Sequence, residues 1–260
     1  MLLEVKDLTA EIGESKVLDG VTLSHKGGGG IHALMGQNGS GKSSLCNVLM
    51  GHPDYRVKQG KIEFSNKDIS GLAPEERAAE GLFWGAQQPR EIPGVSLAQV
   101  MRSAVRTRDT ETESAPASSE LAEELRTQLD NFGLGSDFLR RPLNEGASGG
   151  EKKRLEMVQL MVLKPRLAVL DEIDSGLDID AIRQIAETIT QASKQGTSFL
   201  LVTHYKRLLE YVKPEQVHIM VGGRIIKSGG YSIVDQLEQE GYKNLIDPEE
   251  KDGEVTVSAS

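Results

Sequence analysis

The 260-residue sequence contains one cysteine, Cys46, and only 4% aromatic residues. A single cysteine excludes a disulfide within the chain and a metal cluster held by several of its own thiolates. No apolar run approaches the roughly 20 residues that span a bilayer, and the longest runs are LAVL and FLLV. The first residues, MLLEVKDL, lack the basic and apolar regions of a secretory signal. We therefore expect a cytoplasmic protein with no membrane-inserted segment.

Positive charge is in the minority. Lys and Arg number 30 against 39 Asp and Glu, which gives a net charge of −9. Because binding to nucleic acid usually requires a basic face, this composition argues against a nucleic-acid partner. The length is sufficient for one large domain, or two lobes, with a substantial hydrophobic core.

Two β-rich parts flank a helical middle part. Short β-like segments fill the first eighty residues and return after Pro165, where QVHIMV and GRIIKS predict a hairpin across Gly222-Gly223. In the middle, ELAEELRTQLDNF has apolar residues at helical spacing, namely Leu121, Leu125, Leu129 and Phe132. We predict an α/β core with a helical insertion at roughly residues 88–164. A polar stretch at 111–119 predicts a loop.

The segment GQNGSGKSS has the pattern Gly-x4-Gly-Lys-Ser of a phosphate-binding loop. It follows the β-like IHALM and precedes the helical SSLCNVLMG, as such a loop requires. Glycines let backbone N–H groups turn toward phosphate oxygens, Lys42 reaches the β- and γ-phosphates, and the Ser43 hydroxyl coordinates Mg²⁺. The predicted nucleotide-binding residues are Gly36, Gln37, Asn38, Gly39, Ser40, Gly41, Lys42, Ser43 and Ser44.

The segment RLAVLDEID supplies two candidate carboxylates at the end of an apolar strand. Asp171 is placed to act on Mg²⁺, usually through water. Glu172 follows directly, and because side chains alternate along an extended chain we expect it to point elsewhere, as a base for the attacking water. Cys46 lies in LCNVLM, where a buried structural role is the simplest interpretation.

The order of these motifs resembles that of ABC ATPases. ASGGEKKR is similar to their signature sequence, and it stands with GQNGSGKSS, LAVLDE, SGLD and LLVTH in the same order at similar spacings. The resemblance implies that Ser148, Gly149, Gly150 and Glu151 open a helix whose N-terminus faces the γ-phosphate on the other protomer of a head-to-tail dimer. It also implies a D-loop at Ser175, Gly176, Leu177 and Asp178.

Two further positions match that family. Gln87 corresponds to the glutamine that links Mg²⁺ and water to the helical lobe, and His204 corresponds to a histidine that contacts the γ-phosphate. The resemblance thus implies ATP and Mg²⁺ as cofactors. The predicted catalytic residues are Glu172, His204, Lys42 and Gln87, and the predicted metal ligands are Ser43, Gln87 and Asp171.

Longer segments resemble the SufC family in particular. These are NEGASGGEKKR, LDEIDSGLDIDA, VTHYKRLLEYVKPEQVHIM, GRIIKSGG and EIPGVS, and the match covers nearly the whole chain. The resemblance implies an ATPase of the Suf iron–sulfur cluster assembly machinery, with scaffold partners of the SufB and SufD type and a transient, ATP-dependent homodimer. It also implies cytoplasmic localisation, or the plastid stroma for a mature organellar form.

The implied fold is a P-loop NTPase of the ABC type, with an antiparallel β subdomain and an inserted α-helical subdomain. The predicted bounds within one ABC ATPase domain, residues 1–260, are 1–87 and 165–247 for the catalytic α/β core, 88–164 for the helical subdomain, and 248–260 for a flexible tail. One departure from the family is the run of four glycines at residues 27–30, which predicts a looser turn.

The resemblance places the partner surface at QPREIPGVSLAQVMR, residues 88–102. This segment mixes Ile92, Val95, Leu97 and Met101 with two arginines. Two other functions share the same nucleotide chemistry. One is the ATPase subunit of an ABC membrane transporter whose pore is a separate chain, and the other is an ATP-dependent binding switch with little turnover.

Overall fold

A computed structural model of the chain describes residues 1–108 and 118–242. The loop predicted at 111–119 lies outside these residues except for its last two, which form the start of a helix rather than a loop. The predicted tail at 248–260 also lies outside them.

Strands and helices alternate over most of the described chain. The strands are β1 (Leu3–Ile12), β2 (Ser15–His25), β3 (Ile31–Met35), β4 (Tyr55–Phe64), β5 (Lys67–Asp68), β6 (Leu82–Gly85), β7 (Ile92–Ser96), β8 (Pro142–Leu143), β9 (Leu167–Asp171), β10 (Ser198–Val202), β11 (Gln216–Val221) and β12 (Arg224–Gly229). The helices are α1 (Lys42–Leu49), α2 (Pro74–Ala79), α3 (Leu97–Arg108), α4 (Ser118–Asn131), α5 (Gly149–Leu163), α6 (Ile179–Lys194), α7 (Lys206–Val212) and α8 (Ser232–Glu240).

The central sheet has the strand order β12-β11-β3-β10-β9-β6. All neighbouring pairs in it are parallel except β11 and β12, which form the predicted hairpin. Strands β3, β9 and β10 are buried at every residue. Continuous apolar runs of this kind are typical of parallel strands that are covered on both faces, so the carboxyl ends of β3, β10, β9 and β6 meet at one edge of the sheet.

A second sheet, with the order β2-β1-β4-β5, is antiparallel at every pairing. Its inward residues pack with α1 in a separate hydrophobic cluster that includes Val5, Leu8, Leu45 and Cys46. Cys46 is fully buried there, and burial raises the pKa of its thiol well above the usual value. The structural interpretation of this cysteine is therefore confirmed.

Helices α3, α4 and α5 lie between β6 and β9 in the chain and pack on one another. Leu121, Leu125 and Leu129 of α4 are buried, as their spacing predicted. The expectation that Leu97 and Met101 face a partner is wrong, because they are 1% and 0% exposed. Both lie on the inward face of the amphipathic helix α3, where helical periodicity directs them into the core.

The glycine run is a tightly held turn. Gly27, Gly28 and Gly29 all have positive φ, a conformation that other residues seldom adopt. A Cβ on Gly29 would lie 2.1 Å from the Ser193 carbonyl oxygen, and the Ser198 hydroxyl accepts a hydrogen bond from the Gly29 N–H at 3.3 Å. The turn therefore requires glycine, and the expectation of a looser turn is not what the structure shows.

Three of the five histidines form a buried cluster beside this turn. The rings of His25 and His32 stack at 3.9 Å between centroids, and His218 Nε2 lies 3.3 Å from His32 Nδ1. Burial, with the other histidines as a second cause, lowers the pKa of His32 to about 3 and that of His218 to about 4. The cluster is therefore neutral near pH 7.

We expect this cluster to make the fold sensitive to acid. In the unfolded chain each histidine protonates near pH 6.5, whereas folded His32 resists protonation until about pH 3. The contribution of neutral His32 to the free energy of unfolding is therefore fully present above pH 6.5, and it is lost as the pH falls from 6.5 toward about 3. At pH 5 the loss from His32 is on the order of 2 kcal/mol in the free energy of unfolding.

Urea unfolding of the His32→Asn variant at pH 7.5 and pH 5 measures this contribution. Asparagine keeps a polar atom near the position of Nδ1 but cannot protonate, so the variant should lose less stability than the wild type on acidification. His52→Asn, outside the cluster, controls for the loss of a histidine as such. Equal losses in the wild type and His32→Asn would contradict the prediction.

Candidate functional site

Residues far apart in the sequence meet at the carboxyl edge of the central sheet. Gly36 follows β3, Gln87 lies two residues after β6, Asp171 ends β9, and His204 lies two residues after β10. Ligands of open α/β sheets usually bind at this edge. The strand order therefore brings together four of the predicted site positions.

The phosphate-loop segment joins β3 to α1 and curls around the Lys42 side chain. The Lys42 ammonium donates to the carbonyl oxygens of Gly36 at 2.8 Å and Gln37 at 2.9 Å, and its burial lowers the pKa of the amine. Gly41 has φ 104°, and a Cβ on Gly36 would lie 2.4 Å from the Met220 carbonyl oxygen. Both positions therefore require glycine. The N-terminal N–H groups of α1 can bind an anion at this loop.

Asp171 lies at the end of the fully buried strand β9. Its carboxyl accepts a hydrogen bond from Ser43, while its Oδ1 is buried with no hydrogen-bond partner among the described residues. Burial raises the pKa of Asp171. A carboxylate oxygen without a partner beside a serine hydroxyl suits Mg²⁺, which prefers oxygen ligands. The residues present therefore fit this metal ion.

Glu172 is held at both of its carboxylate oxygens. Gln87 Nε2 donates to Oε2 at 2.6 Å, and His204 Nδ1 donates to Oε1 at 3.1 Å. The alternation of side chains along an extended chain predicts that Glu172 points away from Asp171, but the chain is not extended at Glu172, so this reason is wrong. Glu172 has φ 50°, in the left-handed region, so a backbone turn after β9 sets its direction.

The signature segment caps helix α5. The Ser148 hydroxyl accepts from the Glu151 N–H at 3.3 Å, and the Glu151 carboxylate accepts from the Ser148 N–H at 2.7 Å. These two bonds form a capping box, which satisfies N–H groups that the helix itself cannot. The Ser148 backbone bond is the main cause that lowers the pKa of Glu151. The Glu151 side chain therefore completes the helix cap, a role that glutamine could also fill.

Sequence reasoning missed a buried lysine on the same helix. Lys153 is 5% exposed, and its ammonium donates to the Glu172 carbonyl oxygen at 2.9 Å and to Ser175 Oγ at 2.8 Å. It ties α5 to the segment Ser175–Asp178, whose last residue caps α6 by accepting from the Ala181 N–H at 2.8 Å. The charged run EKKR predicts an exposed segment. Only the position of Lys153 on the inward face of the helix distinguishes it from its charged neighbours.

An apolar groove of 530 Å³ lies beside β6, between α2 and α3. We call it the β6 groove, and its lining includes Phe83, Trp84, Ile92, Val95 and Val100. Ile92 and Val95 are 38% and 37% exposed, and Trp84 Nε1 is buried without a hydrogen-bond partner in the part of the chain that the structure describes. The groove overlaps the segment 88–102 that the sequence predicted as a partner surface.

The fold and this constellation define an ATPase of the ATP-binding cassette class. A family model of ABC transporters matches residues 18–175. A solved structure described as the ATP binding subunit of an ABC transporter has TM-score 0.79 and 25% identity, and the match covers 95% of this chain and 100% of that one. The chain thus has the P-loop ABC fold that its motifs predicted.

Two relatives are similar over most of the sequence. The Escherichia coli protein named probable ATP-dependent transporter SufC is 45% identical, with 93% of this chain and 97% of that protein covered. The Arabidopsis thaliana protein named ABC transporter I family member 6, chloroplastic, is 46% identical, with 94% and 73% covered. This chain therefore belongs to the ABC transporter family of ATPases, in the group that includes SufC. Among residues 1–108 and 118–242, none of the helices has the length and apolar character needed to cross a membrane.

Proposed function

We propose that this chain is the ATP-hydrolysing subunit of a Suf-type iron–sulfur cluster assembly complex. It uses ATP to drive conformational change in a scaffold of the SufB and SufD type. The observation that carries the hydrolytic part is the Glu172 carboxylate, held by Gln87 and His204 beside the phosphate-binding loop. Similarity to SufC over nearly the whole chain supports the assembly part.

Residues 36–44 are proposed to bind the phosphates of ATP. On binding, the Lys42 ammonium exchanges its two carbonyl partners for oxygens of the β- and γ-phosphates. Ser43, Asp171 and Gln87 are proposed to hold Mg²⁺, directly or through water. When bound, this ion neutralises charge that develops on the phosphates.

Glu172 is proposed as the base that orients the attacking water and takes its proton. Its two hydrogen bonds fix the orientation of the carboxylate. Each carboxylate oxygen has a second lone pair, which can still accept a proton from water. Because a carboxylate can only accept, His204 carries its proton on Nδ1. The other imidazole nitrogen of His204 is then proposed to face the γ-phosphate.

Ser148, Gly149, Gly150 and Glu151 are proposed to act on ATP bound to a second copy of the chain. In this structure Ser148 binds its own helix at Glu151 and Lys152, while the N-terminal amides of α5 suit an anion. Segment Ser175–Asp178, tied to α5 by Lys153, is proposed to lie at the same dimer contact. Activity then requires a head-to-tail homodimer.

The β6 groove is proposed to receive the scaffold. It lies where the part of the chain proposed as catalytic core, residues 1–87 and 165–247, meets the proposed helical subdomain, residues 88–164. An apolar segment of a partner would cover Ile92 and Val95 and offer a carbonyl oxygen to Trp84 Nε1. The proposed compartment is the cytoplasm, or the plastid stroma, since the Arabidopsis relative is named chloroplastic.

Replacement of Val95 by glutamate tests the groove. Val95 is 37% exposed in an apolar lining, so a charge there would be desolvated by a docked partner. We expect scaffold affinity to fall at least about tenfold, because burying an unpaired charge costs more than about 1.4 kcal/mol. ATP affinity should not change. Titration with purified SufB- and SufD-type proteins measures the effect.

Tyr211→Glu is the matched control, because Tyr211 is 41% exposed on α7, outside the groove. Wild-type scaffold affinity in Val95→Glu would argue against the groove.

An ABC transporter subunit remains the alternative function, and it predicts capture of membrane subunits rather than soluble scaffolds in a pull-down. A binding switch predicts little steady-state phosphate release.

A further inference from the structure

Helix α5 contacts the ends of both strands that precede the proposed hydrolytic residues. Lys153 binds the Glu172 carbonyl oxygen just after β9. One turn later, Glu156 accepts a hydrogen bond from the Ala86 N–H just after β6, at 3.1 Å. Strands β6 and β9 are parallel neighbours, with Gly85 opposite Leu170. A single helix thus binds two adjacent strand ends with side chains three residues apart.

Glu156 is an unusual residue to find in the interior. It is 6% exposed, and within residues 1–108 and 118–242 its buried Oε2 has no hydrogen-bond partner. Glutamate is seldom fully buried, because removing its charge from water is costly. The side chain lies on the wall of a 760 Å³ cavity that also contains Ser43, Gln87 and Asp171. It therefore borders the proposed site from the side of the helical part.

Gln87 has a short connection to this carboxyl group. Its side chain is exposed apart from the 2.6 Å hydrogen bond to Glu172, so its own packing does not fix it. The peptide unit before it is fixed, because the Ala86 N–H donates to Glu156. The position of Gln87 against Glu172 therefore depends on where α5 holds Ala86.

We propose that Glu156 is a positioning residue for hydrolysis, which sets Gln87 against Glu172 by holding the Ala86 backbone to helix α5. This inference rests on the proposed roles of Gln87 and Glu172. It gives the signature helix a direct connection to the hydrolytic residues of its own chain, in addition to its proposed contact with ATP on the partner. Movement of α5 would shift Gln87 through this bond.

The chemistry of the side chain suggests matched replacements. Burial raises the pKa of Glu156 to about 8, so the carboxyl is mostly neutral near pH 7. Glutamine therefore matches it in charge and shape and keeps an oxygen that can accept from Ala86. Methionine has similar length and no comparable acceptor, and aspartate keeps the carboxyl but withdraws it by one carbon–carbon bond.

The test is the steady-state rate of phosphate release, with ATP affinity measured separately. Glu156→Met should lower kcat about tenfold with unchanged ATP affinity, since small misplacement of a reacting group costs up to about 10²-fold. Glu156→Gln should stay near the wild-type rate. Glu156→Asp should also have a lowered kcat, because its carboxyl is too far from the Ala86 N–H. This variant provides the test if Glu156→Met does not fold. Gln159→Met is the control, because Gln159 lines the same cavity and its side chain donates to its own helix, at the Leu155 carbonyl oxygen.

A wild-type kcat in both Glu156→Met and Glu156→Asp would overturn the proposal, and so would a Glu156→Gln as slow as Glu156→Met. Equal losses in Glu156→Met and Gln159→Met would indicate a structural role only, and would also overturn it. If Glu156 acts through Gln87, the Glu156→Met/Gln87→Ala double variant should be no slower than Gln87→Ala alone, whereas multiplied losses would reject that route. Normal hydrolysis by Glu172→Gln would instead reject the proposed site itself, whatever the Glu156 variants do.

Discussion

Replacing Glu172 by glutamine should abolish most ATP hydrolysis while leaving ATP binding intact. The loss of a general base typically costs about 10²–10⁴-fold in rate. Glutamine has the same shape and retains one oxygen that can accept a hydrogen bond, so the loop around residues 171–175 should keep its fold. Binding should survive because the proposed phosphate contacts come from residues 36–44, not from Glu172.

Phosphate release and the affinity for a fluorescent ATP analogue are the two measurements. Glu210→Gln, which removes an exposed carboxylate on α7, is the control for loss of charge and should behave as the wild type. Hydrolysis by Glu172→Gln within threefold of the wild-type rate would remove Glu172 from the role of base.

Lys42→Ala and Ser148→Arg should each be nearly inactive alone. The first removes the ammonium at the phosphate-binding loop, and the second places bulk and charge at the N-terminus of α5. Ser136→Arg adds the same side chain at an exposed serine of the helical part and should remain active. Full activity of Ser148→Arg beside an inactive Lys42→Ala would mean that the signature does not complete the site.

Mixing the two inactive variants should restore part of the activity. In a head-to-tail dimer, a mixed pair has one site with both defects and one site with none. Equal amounts that pair at random should recover at most about a quarter of the wild-type rate, which is the value for independent sites in a symmetric dimer, and less where the two sites act cooperatively. The rate per chain should also rise with protein concentration, as mass action requires of a weak dimer.

The central site could be predicted because contiguous motifs encode it. The loop around Lys42 and the strand before Asp171 require particular residue types at fixed spacing, so local sequence was sufficient. Convergence at one sheet edge followed from the motif order that the chain shares with ABC ATPases. The buried Leu121–Leu129 stripe of α4 followed from helical periodicity.

Features set by tertiary packing could not be predicted in the same way. Lys153 stands in a run of charged residues and Glu156 is itself charged, so nothing in the sequence marks them as buried; their burial depends on how α5 lies against β6 and β9. Leu97 and Met101 look like an exposed apolar patch until the face of α3 is known. The backbone turn at Glu172 carries no sequence signal, because non-glycine residues adopt positive φ only where the surrounding fold enforces it.

Helix α5 has fifteen residues and is about 22 Å long, and in the proposed dimer it would connect the two nucleotide sites. Its first residue is proposed to touch nucleotide on the partner, and its first two turns hold the strand ends of its own site. We therefore expect nucleotide binding at one site of the proposed dimer to be linked in free energy to the geometry of the other site, and such a linkage is reciprocal. The two sites of the proposed dimer should then hydrolyse ATP cooperatively. The strength of that cooperativity should depend on the hydrogen bonds by which Lys153 and Glu156 hold α5 to the ends of β9 and β6.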